Sequence, residues 1–459
     1  MAVLIMAEVC SASALAMPLP ALSSWLRMYG STIAVGWIMS SFLLVSAAVT
    51  ALCSSLGDLF GRKRMLTAIL MLLFVGSVMS AWSNHLGWVI AGRCVQGVSG
   101  AILPLALGLV RETVPPKRLS LGFGVMIASA SVSAALSYPV AGVMTDRFGP
   151  SSIFWVLALL ALIAQVGITL VLPPSTPSER NADGIDWLGG LLFAPAVALL
   201  LFAVSSGGRG GWIAAPIALG GVILLGIWLR HEWRHRAPMI DIRLLSNGYC
   251  LTGLAVMALL AAGAFQVTEV ASLLLQQPAW TGAGLALTAT MTGLLKLPAT
   301  AAGSVSAIFA GWLGGRWGPL SCVLVGGIAS TVAALSAIAF HDSTLSVFLL
   351  ILTVMIGTTS VYTSVPLMIS MGTPADRTSE AMGVMAVIRA LFQGIGAQIV
   401  AIILASRAVV SPEGVHYPSD HAYRTVFAYM GLSTLLMVLI AALMASRRTR
   451  RSRNGRREG

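Results

Sequence analysis

The chain has 459 residues, of which 57% are hydrophobic and only 10% charged, and its mean hydropathy is +0.89. A soluble globular domain of this length cannot cover its surface with so little charge, so the class is integral membrane protein. The formal net charge of +12 does not indicate a nucleic-acid partner, because it is scattered over loops and an arginine-rich end at 447–453 and leaves no basic domain to form a binding face.

Apolar runs of about 17–25 residues mark membrane-spanning helices. In chain order they fall near 2–22, 34–55, 65–82, 86–110, 119–143, 151–172, 187–206, 214–230, 249–275, 286–313, 319–340, 344–371, 380–406 and 423–446, fourteen spans in all. The first begins almost at Met1, without a basic n-region or a small-residue cleavage site, and is expected to be retained. Loops after even-numbered spans, together with the C-terminal tail, hold 20 Lys and Arg. Loops after odd-numbered spans hold five, Arg27, Arg147, Arg209, Arg407 and Arg424. Cations are retained on the cytoplasmic side, so both termini are expected there, in a multi-pass protein of the inner (plasma) membrane. The arginine-rich tail would then fix topology and touch anionic lipid. The five cysteines, Cys10, Cys53, Cys94, Cys250 and Cys322, lie in or at the ends of apolar runs without CxxC spacing and read as small buried hydrophobes. The six histidines fall in loops and form no HExxH. No metal, cofactor or enzymatic activity is expected.

Between spans 2 and 3 stands Leu56-Gly57-Asp58-Leu59-Phe60-Gly61-Arg62-Lys63-Arg64. Two glycines four apart allow a tight turn, three adjacent cations belong on the cytoplasmic side, and Asp58 can pair with them or cap a helix. A plain positive-inside loop with turn glycines accounts for part of this. The ordered string is narrower: it resembles the loop between helices 2 and 3 of the major facilitator superfamily, G-x-L-x-D-R-x-G-R-[RK]-[RK], with Leu59 in place of the first arginine of that pattern. The string from Ala310 to Gly318 echoes it, with Gly315 where Asp58 stands, so spans 10 and 11 correspond to spans 2 and 3. Two six-helix halves follow, residues 1–172 and 249–446. Between them, 173–248 forms a linker with two inserted helices, and 447–459 is a basic cytoplasmic tail. The linker opens with the polar, proline-rich 173–181 and then Asp186-Trp187-Leu188-Gly189-Gly190, similar to the D-W-x-G string of the superfamily's 14-helix drug:proton antiporter branch.

Charges at the middle of a bilayer cost at least about 2.5–3.5 kcal/mol each, so those that occur need a reason. Of sixteen carboxylates, only Glu8 and Glu269 fall well inside the expected spans; the cations inside are Arg93, Lys296 and Arg389. Arg93 opens Arg93-Cys94-Val95-Gln96-Gly97-Val98-Ser99-Gly100-Ala101, which resembles the superfamily's helix-4 motif R-x-x-Q-G-x-G-x-A. That resemblance implies an arginine facing the central cavity and assisting proton transfer; an arginine bonded to backbone carbonyls is the alternative. At about 1.5 Å per residue, Glu269 lies roughly 12 Å and Lys296 roughly 15 Å below the outer ends of spans 9 and 10. The two can form a proton-responsive pair or a permanent ion pair, or Glu269 can face a wet cavity without a partner. In span 1, the branch's L-D-x-T-I-V-N-V-A-L-P reads Cys10 to Pro20 here, with Ser11 for the aspartate and Ala16 for the asparagine; Glu8, one turn away, can take the proton-binding role. In span 5 the antiporter signature G-x-x-x-G-P-x-x-G-G survives as Pro139 and Gly142, with Tyr138 before the proline, positioned either to block close packing or to line the cavity. Arg389 reads as structural.

Candidate cavity residues are Trp37, Gln96, Tyr138, Gln266, Tyr362 and Gln393, which suit large amphipathic or cationic substrates, although Trp37 also suits an interface anchor. The conformational motif comprises Gly57, Asp58, Gly61, Arg62, Lys63, Arg64 and Pro139. By resemblance the expectation is an all-α membrane protein of the major facilitator fold with 14 transmembrane helices, working as a monomer in contact with lipid. It would export amphipathic or cationic drugs or natural products in exchange for protons, by rocking of the halves about a midplane site. Proton-independent facilitated passage or uptake of a small metabolite, or a non-transporting receptor or scaffold, are the alternatives.

Overall fold

In lipid every backbone polar group must be satisfied within its own segment, so apolar spans fold as helices. In the computed structural model, which describes residues 1–82, 85–113, 119–172, 187–206, 211–235, 248–372, 378–412 and 415–455, they do so throughout. The N-terminal half holds α1 (Ala2–Ala16), α2 (Pro18–Tyr29), α3 (Thr32–Phe60), α4 (Arg62–Trp82), α5 (Leu86–Gly97), α6 (Ile102–Thr113), α7 (Leu119–Phe148) and α8 (Ser152–Val171). Between the halves in the chain lie α9 (Trp187–Ser206) and α10 (Gly211–Arg234). The C-terminal half holds α11 (Gly248–Ala262), α12 (Val267–Gln276), α13 (Ala289–Trp317), α14 (Pro319–Ser336), α15 (Thr344–Gly372), α16 (Thr378–Ser406) and α17 (Asp420–Gly455). A two-stranded antiparallel hairpin, β1 (Ala408–Val410) and β2 (His416–Pro418), precedes α17.

Each expected span is helical, but three are broken. Span 1 divides into α1 and α2 at Met17, span 4 into α5 and α6 around a 3-10 turn at Val98–Ala101, and span 9 into α11 and α12 around a 3-10 turn at Ala264–Gln266. Twelve candidate spans among the described residues are long and apolar enough to cross a membrane. Large apolar side chains point outward as well as inward, Leu170, Ile308 and Leu443 being exposed, which is the surface of a lipid-facing bundle. Helix α17 continues past residue 446 as far as Gly455, because the arginine-rich tail contains good helix formers and no earlier glycine or proline.

The face where α1 begins is called here the near face, and its opposite the far face. Helix α7 packs along α13, and α3 along α16, forming two seams between the halves; α9 leans on α3 and α16 from outside. The internal echo is geometric as well as sequential. Gly61 joins α3 to α4 at φ +95°, and Gly318 joins α13 to α14 at φ +85°. Both α3 and α13 are 29 residues long and end immediately before that glycine. A Cβ is strained there, so Gly61→Ala is expected to cost about 1–3 kcal/mol, read as a lower unfolding temperature in detergent. No loss in Gly61→Ala would mean that the turn relaxes freely.

Candidate functional site

The N-terminal half converges on Arg93, which is fully buried. Its Nε donates to Ile38 O at 2.9 Å, and its Nη1 donates to Ala14 O at 2.7 Å and to Gln96 Oε1 at 2.8 Å. The guanidinium carbon lies 4.4 Å from the centre of the Phe42 ring. Ala14 O needs this donor for a simple reason: the residue four further on is Pro18, which has no N–H. The break between α1 and α2 thus exposes a carbonyl, and an arginine from α5 satisfies it. Gln96 passes the chain of bonds to Ser77 Oγ at 3.2 Å, and Ser77 donates to Leu73 O at 2.7 Å. Nη2 of Arg93 has no partner among the described residues.

Serines complete this network. Ser11 Oγ donates to Ser99 O at 2.9 Å, and Ser137 Oγ to Ser13 Oγ at 2.9 Å, tying α1 to the broken span 4 and to α7. Ser11, at the position of the branch's aspartate, is therefore engaged in helix packing. Glu8, on the same helix, is buried, and its Oε2 has no hydrogen-bond partner among the described residues. The charge acting on it is that of Arg389, on α16 in the opposite half.

In the C-terminal half the break at Gly263 frees carbonyls that side chains take up. Gln266 Nε2 donates to Ala261 O at 2.9 Å and Tyr429 OH to Ala262 O at 3.0 Å, while Ser433 Oγ adds a second bond, at 2.8 Å, to Leu259 O, which already accepts from Gly263 N at 3.0 Å. Gln266 also reaches Gln393 O at 3.0 Å, so its amide closes the break and joins α16 to it. The break creates a helix N-terminus, and Glu269 occupies the first turn of α12, where the helix dipole favours a carboxylate. Glu269 is 4% exposed and makes no hydrogen bond or ion pair among the described residues. Lys296, on α13, acts on it electrostatically without contact. Its Nζ instead donates to Thr268 O at 2.7 Å and to Ser272 Oγ, on the same helix as Glu269.

Tyr138 does not block packing. Its ring lies under Lys296, 5.4 Å from Nζ, while its backbone meets Gly293 of α13. Tyr362 packs edge-on against Phe265 at 6.0 Å and carries the Arg389 guanidinium 5.8 Å from its ring centre. Lys296, Tyr138, Glu269, Tyr362 and Arg389 therefore surround the break in span 9. Trp37 lies elsewhere, 6.4 Å from Phe202 of α9. Arg389, which the sequence reads as structural, reaches the Tyr362 ring. An arginine inside a span costs several kcal/mol and is a functional candidate by default.

In the loop motif, Arg62 packs over Gly108 of α6, and Lys63 Nζ donates to Thr169 O at 3.2 Å and to Leu172 O, capping the last turn of α8. The Asp58 side chain lies outside the described residues. Far-face contacts join the halves: Thr32 Oγ1 to Ala401 O at 3.3 Å, Gln398 Nε2 to Ser40 Oγ at 2.5 Å, Gln276 Nε2 to Pro20 O at 2.8 Å, and Gly142 against the backbone of Ala289 and Thr290.

Comparison with known proteins finds relatives among transporters. The chain is 28% identical over 311 residues to the drug efflux pump JefA of Mycobacterium tuberculosis, covering 65% of this chain and 59% of that protein. It is 30% identical over 301 residues to the probable actinorhodin transporter of Streptomyces coelicolor (63% and 51%), and 29% identical over 329 residues to the methyl viologen resistance protein SmvA of Salmonella typhimurium (70% and 64%). The matches thus span only 51–64% of the length of these relatives. Among solved structures, the nucleoside transporter NupG superposes with a TM-score of 0.67 at 13% identity, covering 96% of this chain and 98% of that one. An auto-inhibited POT family peptide transporter gives 0.66 at 15%, covering 96% of each. These likenesses establish the fold. The model of the Major Facilitator Superfamily matches residues 4–397, nearly the whole helical bundle, and the chain belongs to that superfamily.

Proposed function

We propose that this protein is a secondary active transporter that exports amphipathic or cationic small molecules, drugs or a natural product, in exchange for protons. The halves 1–172 and 249–446 rock about a midplane site, with 173–248 supplying two further crossings to make fourteen and 447–459 a basic cytoplasmic tail. It acts as a monomer, in contact with lipid, in the inner membrane with both termini cytoplasmic. On that orientation the far face is the outer one, and the seams at that face correspond to an inward-facing state.

The observation that carries this proposal is Glu269: a carboxylate buried in an apolar bundle, without a hydrogen-bonding partner among the described residues, at a helix break beside the cationic Lys296. A group so placed is costly ionised and unpaired, and gains from taking and releasing a proton as its surroundings change. Glu8, within electrostatic reach of Arg389 in the other half, is the second proton site, and Arg93 holds the broken helix from which it projects. Tyr138, Tyr362, Gln96, Gln266 and Gln393 shape the cavity, with Arg389 added to them. Relatives named for drug efflux, actinorhodin transport and methyl viologen resistance support a drug-like or natural-product small molecule as substrate.

The test uses inverted membrane vesicles with an imposed pH gradient and a panel of cationic dyes. Wild type is expected to release protons on dye addition. Glu269→Gln is expected to lose that release while still binding dye, and Glu8→Gln to weaken it. The engagement of Ser11 in packing favours one other outcome, substrate movement with no proton flux. That result would replace antiport by facilitated passage.

A further inference from the structure

Helix α13 begins at the far face, and its N-terminus is capped from two directions. Thr288, its own N-cap residue, accepts from Met291 N at 3.1 Å through Oγ1. The first two N–H groups of the helix go elsewhere. Ala289 N donates to Asp146 Oδ1 at 3.1 Å, and Thr290 N donates to Asp146 Oδ2 at 2.7 Å. Asp146 belongs to the last turn of α7, in the other half of the molecule. One carboxylate therefore supplies two orphan donors of a helix across the interface, where the helix dipole adds to the attraction.

The surroundings fit a contact under tension. Just below it the α7 and α13 backbones touch: a Cβ on Gly142 would lie 2.5 Å from Ala289 O, and one on Gly293 would lie 2.4 Å from Tyr138 O. Just before it, Ala286 is the only non-glycine residue at positive φ, +53°, among the described residues. Its segment is pinned along the end of α12 by Leu285 N to Leu274 O at 3.3 Å, Ala286 N to Gln277 O at 2.9 Å and Leu287 N to Leu275 O at 2.8 Å. A strained residue persists where its surroundings over-determine it. Partial burial works to raise the Asp146 carboxyl, but bonds from the Thr290 hydroxyl, the Thr290 and Ala289 N–H groups and the Thr288 hydroxyl outweigh it. The carboxyl is thereby held below the ordinary carboxylate range.

We infer that Asp146 is a latch between the halves, holding the far face shut by capping α13 and releasing both N–H groups to water when that face opens. The sequence gives no warning, because a cap normally comes from the residues just before its helix, and this one lies 143 positions upstream. The inference rests on the halves moving as proposed above.

The experiment places spin labels on cysteines introduced at Phe148 and Leu345, exposed far-face positions in opposite halves, in the full chain with its five cysteines replaced. Electron spin resonance reads the distance between them, and dye efflux is measured on the same proteins. With Asp146 intact, the short-distance population is expected to dominate. In Asp146→Ala the wider population is expected to rise severalfold, with Asp146→Asn, which keeps one acceptor, between the two. A second variant leaves α7 untouched. Ala289→Pro removes one of the two N–H groups at the first helical position, where proline is well tolerated, and should shift the distances in the same direction. Distance distributions unchanged in all three variants overturn the latch, whether or not efflux is seen. A shift without any dye efflux upholds the latch and counts instead against the drug-export proposal.

Discussion

Gly293→Val is expected to abolish transport in a protein that still folds and inserts. A Cβ at this position would lie 2.4 Å from Tyr138 O, 2.7 Å from Tyr138 C and 3.0 Å from Pro139 Cα, all backbone atoms of the opposite half. A rotamer change cannot relieve contacts with backbone, so the seam must separate. Overpacking of this kind costs typically about 1–3 kcal/mol. Charged against one of the two conformations proposed above, that is roughly a 5- to 150-fold change in population. The far face should therefore stay ajar. The measurement is labelling of a cysteine placed at Ala289, buried within the seam at its far-face end, by an impermeant maleimide added from that side. Faster labelling in Gly293→Val, with efflux lost, is the expected pair of results. Gly142→Val should reproduce both, since its Cβ would meet Ala289 O at 2.5 Å. Unchanged labelling together with normal efflux would show that these helices do not need to touch.

Why such a contact is hard to see in the sequence is instructive. The chain has 47 glycines, and nothing local separates Gly142 and Gly293 from those that merely suit a bilayer helix. What was legible were features with a local cause. Apolar runs of bilayer length became helices, and the glycine closing each copy of the loop motif, Gly61 and Gly318, takes a positive φ because a tight helix-to-helix turn requires it. The charged residues inside spans were also legible as exceptions, but their partners were not. Lys296 lies level with the Glu269 turn as helix rise suggests, yet its ammonium takes the carbonyl of Thr268 and the hydroxyl of Ser272, which lie on the same stretch of α12. Which of several nearby acceptors wins depends on side-chain direction and not on depth. Trp37 illustrates the same limit: periodicity puts it in a helix, but its facing Phe202 depends on where α9 docks. The breaks in spans 1 and 9 differ in this respect. Pro18 and Pro20 announce the first, whereas Gly263 resembles any other glycine until Gln266 and Tyr429 are seen filling the gap it leaves.

The second large effect is expected at Arg93 and can be traced to one missing hydrogen. Arg93→Leu keeps the bulk roughly in place but leaves Ala14 O and Gln96 Oε1 without their donor, at about 1–3 kcal/mol for each buried acceptor stranded. The expected result is a marked fall in unfolding temperature in detergent and loss of efflux. Arg93→Lys should recover part of the stability and little of the transport. An ammonium is a single point of donation, whereas Nε and Nη1 of the guanidinium serve Ile38 O and Ala14 O on two different helices at once. The decisive variant lies on the other side of the contact. Pro18→Ala returns an N–H to the position four residues after Ala14, so the helix can satisfy that carbonyl itself. If the stranded carbonyl is the cause, Pro18→Ala should be mild alone and should rescue part of the stability of Arg93→Leu, giving a clear interaction energy in a double-mutant cycle. Strict additivity would mean that Arg93 stabilises the bundle through its charge or its stacking on Phe42 and not through the break in span 1. Stability rescued without transport would separate holding the break from the part in the proton path proposed above for Arg93.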